Sequence, residues 1–233
     1  MDSVSPAAAV APGERAPQLG LRANWRQFVL LVTINAFVAG GQIVYLHSGL
    51  ITRAANANEV QGVIARNVDY ATVLMGANDV CASSEASMTP VDVFRDQFSV
   101  ALSSLTTALP NTRVFVSSIP DVHQLFTLYR WDLGANAVWA IAGICQSMLA
   151  NPWSNSSADV ARRARVRQRN IDYNTVLGQV CATHTRCRFD ANAVFNTAFT
   201  RSDVTTRDYF HPSVNGQAKL AAVTWGQAAG FLQ

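Results

Sequence analysis

A chain of 233 residues, 49% of them apolar, is long enough to bury one core of the size found in a single α/β domain. Its formal charge of +3 is a small difference between 18 basic and 15 acidic residues scattered along the chain, which excludes a nucleic-acid footprint, since that needs a dense basic face. Against the roughly 20 predominantly apolar residues of a spanning helix, the one candidate, Phe28 to Leu46, is marginal, and no stable membrane insertion is expected.

In chain order, the Ala/Pro-rich opening from Pro6 to Pro17 reads as a mobile low-complexity stretch, and residues 1–27 read as a poorly ordered or aberrant N-terminal segment ahead of one domain over 28–233. Phe28 to Leu46, behind Arg22 and Arg26, is apolar but interrupted by Asn35, Gln42 and several glycines. It reads as buried strand plus loop, with an export signal or anchor as the alternative. Glu59–Asn67 is a helix, and Asp69–Gly76 a buried strand ending in a glycine turn. A helix follows over Pro90–Leu109, with Thr89 as its cap and Pro90 at its first position. Arg113–Pro120 is a second buried strand, stopped by its proline, and 121–153 reads as irregular helices rich in Trp and Leu.

The next helix covers Ala158–Cys181. Its basic run, Arg162-Arg163-Ala164-Arg165-Val166-Arg167-Gln168-Arg169, alternates with apolar positions at helical spacing and reads as a solvent face, with an anionic-ligand patch as the alternative. A short strand at Cys187–Asp190, a long loop and a helix from Ser213 to Gly230 complete the chain. This alternation predicts a parallel sheet covered on both faces, with its ligand site at the carboxyl ends of the strands. Gly76-Ala77-Asn78-Asp79 and Ser118-Ile119-Pro120-Asp121 both fall on that edge.

The four cysteines form an even set, and the preferred pairing is Cys81–Cys145 and Cys181–Cys187, because the first two lie at the ends of neighbouring elements and the last two close a short loop. Disulfides imply an extracytoplasmic protein, although Met1-Asp2-Ser3-Val4-Ser5-Pro6 is not a cleavable signal. His184 lies between Cys181 and Cys187, but a metal set lacks its remaining ligands, and no metal or organic cofactor is expected.

The chemistry-bearing stretch is Arg207-Asp208-Tyr209-Phe210-His211-Pro212-Ser213. An Asp three residues ahead of a His can set its carboxylate against Nδ1, leaving Nε2 as a base that activates a serine hydroxyl. At the tip of the first clear strand, Asn78 and neighbouring backbone N–H groups offer donors for an oxyanion. Trp131, Trp139, Phe126, Leu128 and Met148 are candidates for an acyl pocket, with plain core the favoured reading.

On these residues the chain closely resembles the SGNH (GDSL-type) hydrolase family, particularly its secreted, cysteine-containing actinobacterial-type members, from Asn58 to Trp225. The resemblance implies a three-layer α/β/α flavodoxin-like parallel sheet, here lacking or altering its first strand. It also implies an esterase or lipase with Asp208 and His211 as acid and base and Asn78 in the oxyanion hole. A second oxyanion N–H would come from Gly49 of Ser48-Gly49, with Gly40 as its rival.

The family's nucleophile block, Gly-Asp-Ser, occurs nowhere in the chain; its nearest trace is Asp2-Ser3, making Ser3 the nucleophile equivalent. Residues 5–47 resemble the family poorly, as a divergent, misassigned or frame-shifted start would. The expected function is therefore serine-dependent ester hydrolysis by a monomer acting on a short acyl ester, a lipid or an acetylated sugar. The alternative is a catalytically impaired relic or binding protein.

Overall fold

A computed structural model describes residues 31–33 and 56–231. Four strands, β1 (Leu31–Thr33), β2 (Tyr70–Leu74), β3 (Arg113–Val116) and β4 (Cys187–Phe189), form one sheet in the order β1-β2-β3-β4, every pair parallel. The register sets Thr72 opposite Phe115 and Phe115 opposite Arg188. A strand therefore does precede β2, within the segment expected to be strand plus loop; it is three residues long and lies outermost among the described strands.

The helices are α1 (Asn56–Arg66), α2 (Ala77–Val80), α3 (Val91–Ala108), α4 (His123–Tyr129), α5 (Leu133–Ala142), α6 (Gln146–Leu149), α7 (Ser157–Cys181) and α8 (Val214–Ala228). Helices α1 and α3 pack together, and α3 packs in turn on α7. Phe94, Phe98, Leu102 and Leu105 of α3 recur at helical spacing and are all buried. Phe94 stacks on Tyr173 of α7 with ring centroids 4.3 Å apart. Val114 and Val116 of β3 join this core, whereas Phe115 between them is equally buried but lies outside that cluster. Alternate side chains of a strand point to opposite faces, so both faces of β3 are covered, as a parallel sheet requires.

Two local readings need correction. Pro90, rather than Thr89, occupies the cap position of α3 and makes no side-chain cap bond. The Thr89 hydroxyl instead donates to the buried Asp79 carboxylate at 2.7 Å, a stronger demand than a helix end that water can reach. The arginine run on α7 is not wholly a solvent face either: Arg163 is only 3% exposed. Cys81 pairs with Cys145 and Cys181 with Cys187. Among the described residues no helix is long and apolar enough to cross a membrane.

Candidate active site

At the carboxyl end of β2 the chain passes through Gly76 at φ +100°, a left-handed conformation that side chains resist. Space forbids one as well, since a Cβ there would lie 2.6 Å from Ile119 Cδ1 and 3.1 Å from the Phe94 ring. The Gly76 carbonyl accepts from the backbone N–H groups of Asp79 and Val80 at 3.1 and 3.2 Å, turning the strand straight into α2 and placing Asn78 in its first turn. The turn is stapled from behind by the Cys81–Cys145 disulfide and by Ser147, whose hydroxyl donates to the Val80 carbonyl at 2.7 Å. Asp79, beside Asn78, is 2% exposed; burial pushes its carboxyl up to about 6 despite the hydrogen bond from Thr89.

The second component is the loop before α8. An antiparallel bridge joins Val204 to Pro212, and the Thr205 N–H donates to the His211 carbonyl at 2.9 Å, closing the loop at its base. Gly216 allows α8 to press on this base, where a Cβ would meet the Asp203 carbonyl oxygen at 2.0 Å. Ser213 caps α8, accepting from the Gly216 N–H at 3.2 Å. Tyr209 sits at φ +54°, held by Trp139, whose indole N–H donates to its carbonyl at 3.1 Å, and by edge contact with Tyr129 at 5.4 Å.

Within the loop, Asp208 Oδ1 accepts from the backbone N–H groups of Phe210 and His211, both at 3.0 Å, and Oδ2 lies 2.7 Å from His211 Nδ1. Donation from Nδ1 to this carboxylate gives the tautomer that leaves Nε2 as the basic nitrogen. Burial pushes the Asp208 carboxyl up, but the His211 hydrogen bonds and the Phe210 N–H outweigh it and hold the group below its ordinary value. It is therefore ionised at neutral pH.

Asn78 and His211, 133 positions apart in sequence, line one cleft at the carboxyl edge of the sheet. Leu74, Leu125, Leu128, Phe199, Phe210 and Leu220 make most of its wall apolar. Of the candidate acyl-pocket residues only Leu128 is there: Phe126, Trp139 and Met148 are core, and Trp131 is 67% exposed. Ser3, Gly49 and Gly40 lie outside the described residues.

Two further cleft residues, Gln124 and Asp203, carry no local sequence signal, whereas Asp121 lies where the sequence placed it. Gln124 fastens the far wall, its amide donating to the Thr197 carbonyl and accepting from the Phe199 N–H, each at 2.9 Å. Asp203 is paired with Lys219 of α8, and Asp121 with Arg167 of α7 at 2.8 Å.

The Asp208–His211 pair and Asn78 thus share one cleft at the carboxyl edge of a parallel sheet covered on both faces, the place where α/β proteins of this layered class carry their ligand sites. The family model for GDSL-like lipases/acylhydrolases matches residues 12–223, and the chain belongs to that family. No match was found among curated proteins or among solved structures. Ser3 lies ahead of the matched span.

Proposed function

We propose that the protein is a serine-dependent carboxylic-ester hydrolase acting through an acyl-enzyme. The observation that carries this reading is the 2.7 Å contact between His211 Nδ1 and Asp208, in the same cleft as Asn78. In the reaction, Nε2 of His211 takes the proton of the serine hydroxyl as its oxygen attacks the ester carbonyl. The tetrahedral oxyanion is held by the Asn78 amide and a glycine N–H, for which Gly49 is the candidate; donors of this kind each lower the barrier by about 3 kcal/mol. The imidazolium then protonates the leaving alcohol, and His211 activates a water that releases the acid. Ser3 is the proposed nucleophile.

The apolar walls of the cleft favour a short acyl or lipid ester over an acetylated sugar, whose ring would leave polar groups facing Leu and Phe side chains. Two disulfides among the described residues support an extracytoplasmic protein, and we assign it as a monomer. The second reading, a relic or binding protein, is favoured by one observation, the absence of Gly-Asp-Ser from the sequence.

The deciding experiment is hydrolysis of p-nitrophenyl acetate and butyrate by the chain and by its Ser3→Ala, Asn78→Ala and His211→Ala variants. Turnover abolished by Ser3→Ala and His211→Ala and strongly reduced by Asn78→Ala supports the full assignment. Turnover that survives Ser3→Ala but not His211→Ala moves the nucleophile to another serine. No turnover in the parent chain favours the relic.

A further inference from the structure

A second hollow, of about 420 Å³, lies between α4 and α7 beside the 151–156 turn and shares no lining residue with the cleft of Asn78 and His211. Arg130, Arg163 and Arg167 all line it, and no carboxylate does. Arg163 is 3% exposed; its Nη2 donates to the Ser154 carbonyl at 2.7 Å, while its Nη1 is out of solvent with no hydrogen-bond partner. Arg130 donates from Nη2 to the Asn155 side-chain oxygen at 2.7 Å, and its Nε is likewise buried without a partner.

Both guanidiniums stack on one ring, with Arg130 Cζ 4.6 Å and Arg163 Cζ 4.3 Å from the centroid of Phe126. The acids nearby are already paired, Asp159 with Arg162 at 3.0 Å and Asp121 with Arg167, which leaves Arg130 and Arg163 as the lining arginines that make no ion pair with a carboxylate among the described residues. Two like charges gathered on one aromatic ring, each with a buried N–H left over, form an arrangement that an anion completes.

We propose that this hollow binds the phosphate or sulfate group of a small organic ester. The spare donors belong to different guanidiniums, so they approach an anion from separate directions. That suits the several oxygens of a tetrahedral group better than the single planar edge of a carboxylate, which one guanidinium fork would take. The hollow falls within the size range of ligand sites and exceeds what an inorganic ion needs, and Val160 and Ile171 offer apolar surface to the organic part. The inference is independent of the ester-hydrolase reading, because no residue of that machinery takes part.

The test is titration of the protein with phenyl phosphate, read by calorimetry and by the fluorescence of Trp131, whose ring lies 4.6 Å from Arg130 Cζ. The expected result is saturable binding that inorganic phosphate competes away and that Arg163→Met and Arg130→Gln each weaken by at least ~10-fold. Arg165→Gln should leave it unchanged, since Arg165 pairs with Glu85 outside the hollow. Arg130 is only partly buried, so Arg130→Gln keeps the test alive if Arg163→Met fails to fold.

Absence of saturation, parent-like binding by a folded Arg130→Gln, or equal losses in Arg165→Gln would overturn the site. Equal affinity for benzoate would overturn the tetrahedral preference. Binding to phosphatidylcholine vesicles only when they contain phosphatidic acid, without binding of phenyl phosphate, would replace the small ester with a lipid headgroup and overturn the proposed occupant.

Discussion

Asp208 grips His211 twice, with Oδ2 2.7 Å from the ring Nδ1 and Oδ1 3.0 Å from the backbone N–H of the same residue. One carboxylate thus sets both the path of the loop and the orientation of the ring. Asp208→Asn keeps an oxygen for the backbone contacts but can turn an N–H toward Nδ1, which then has to accept and leaves its proton on Nε2. Ester turnover should fall by roughly 10³–10⁴-fold, the scale of a wrong-tautomer defect in a Ser-His-Asp site. Steady-state kinetics on p-nitrophenyl butyrate, with circular dichroism to show retained fold, measures it; a kcat within about tenfold of the parent would remove Asp208 from the machinery.

Gly76→Ala tests the turn that presents Asn78. The substitution forces a Cβ into φ +100° and within 2.6 Å of Ile119 Cδ1, and the Phe94 ring at 3.1 Å limits how far Ile119 can retreat. Strain and overpacking together should cost about 2–4 kcal/mol of stability, measured by urea denaturation. A loss below about 0.5 kcal/mol would mean the turn relaxes freely.

Much of this architecture is legible in the sequence because it rests on local rules. The strands β2 and β3 are short apolar runs stopped by Gly76 and Pro120, and the Asp208 to His211 spacing places an acid beside a base within a single turn. The rest depends on contacts between distant segments. Thr89 has the sequence context of a helix cap, yet its hydroxyl is claimed by Asp79, ten residues upstream in another element. Arg163 has the periodicity of a wet face, but its long side chain reaches over Phe126, and no pattern on α7 reveals where that ring lies. Gln124 reads as an ordinary polar helix residue, and its role in holding the 197–199 wall appears only when the two segments meet.

The two disulfides should contribute unequally. Cys81–Cys145 closes a separation of 64 residues and Cys181–Cys187 one of 6. Chain-entropy reasoning assigns them about 4 and about 2 kcal/mol respectively. Cys81→Ser with Cys145→Ser should therefore lower the melting temperature more than Cys181→Ser with Cys187→Ser, as calorimetry would show. Only the former should also lower esterase activity, because it frees the segment behind Asn78; the reverse order would refute this account of the staple.

Asp79 gives the fold a pH dependence opposite to that of Asp208. The Asp208 carboxyl is held below its ordinary value in the folded protein, so its stabilisation is present above about 3.9, the unfolded value, and disappears as pH falls through the folded one. The Asp79 carboxyl is held up at about 6, so the folded state keeps its proton longer than the unfolded chain does. Its favourable contribution is complete below about 3.9 and is lost as pH rises through about 6, a change on the order of 2–3 kcal/mol. Asp79→Asn preserves an acceptor for the Thr89 hydroxyl and cannot ionise, so it removes this change. Between about pH 3.5 and pH 7.5, a range that brackets that window, the parent should lose stability relative to Asp79→Asn in parallel urea titrations. Curves that stay parallel across the interval would show that Asp79 does not titrate there.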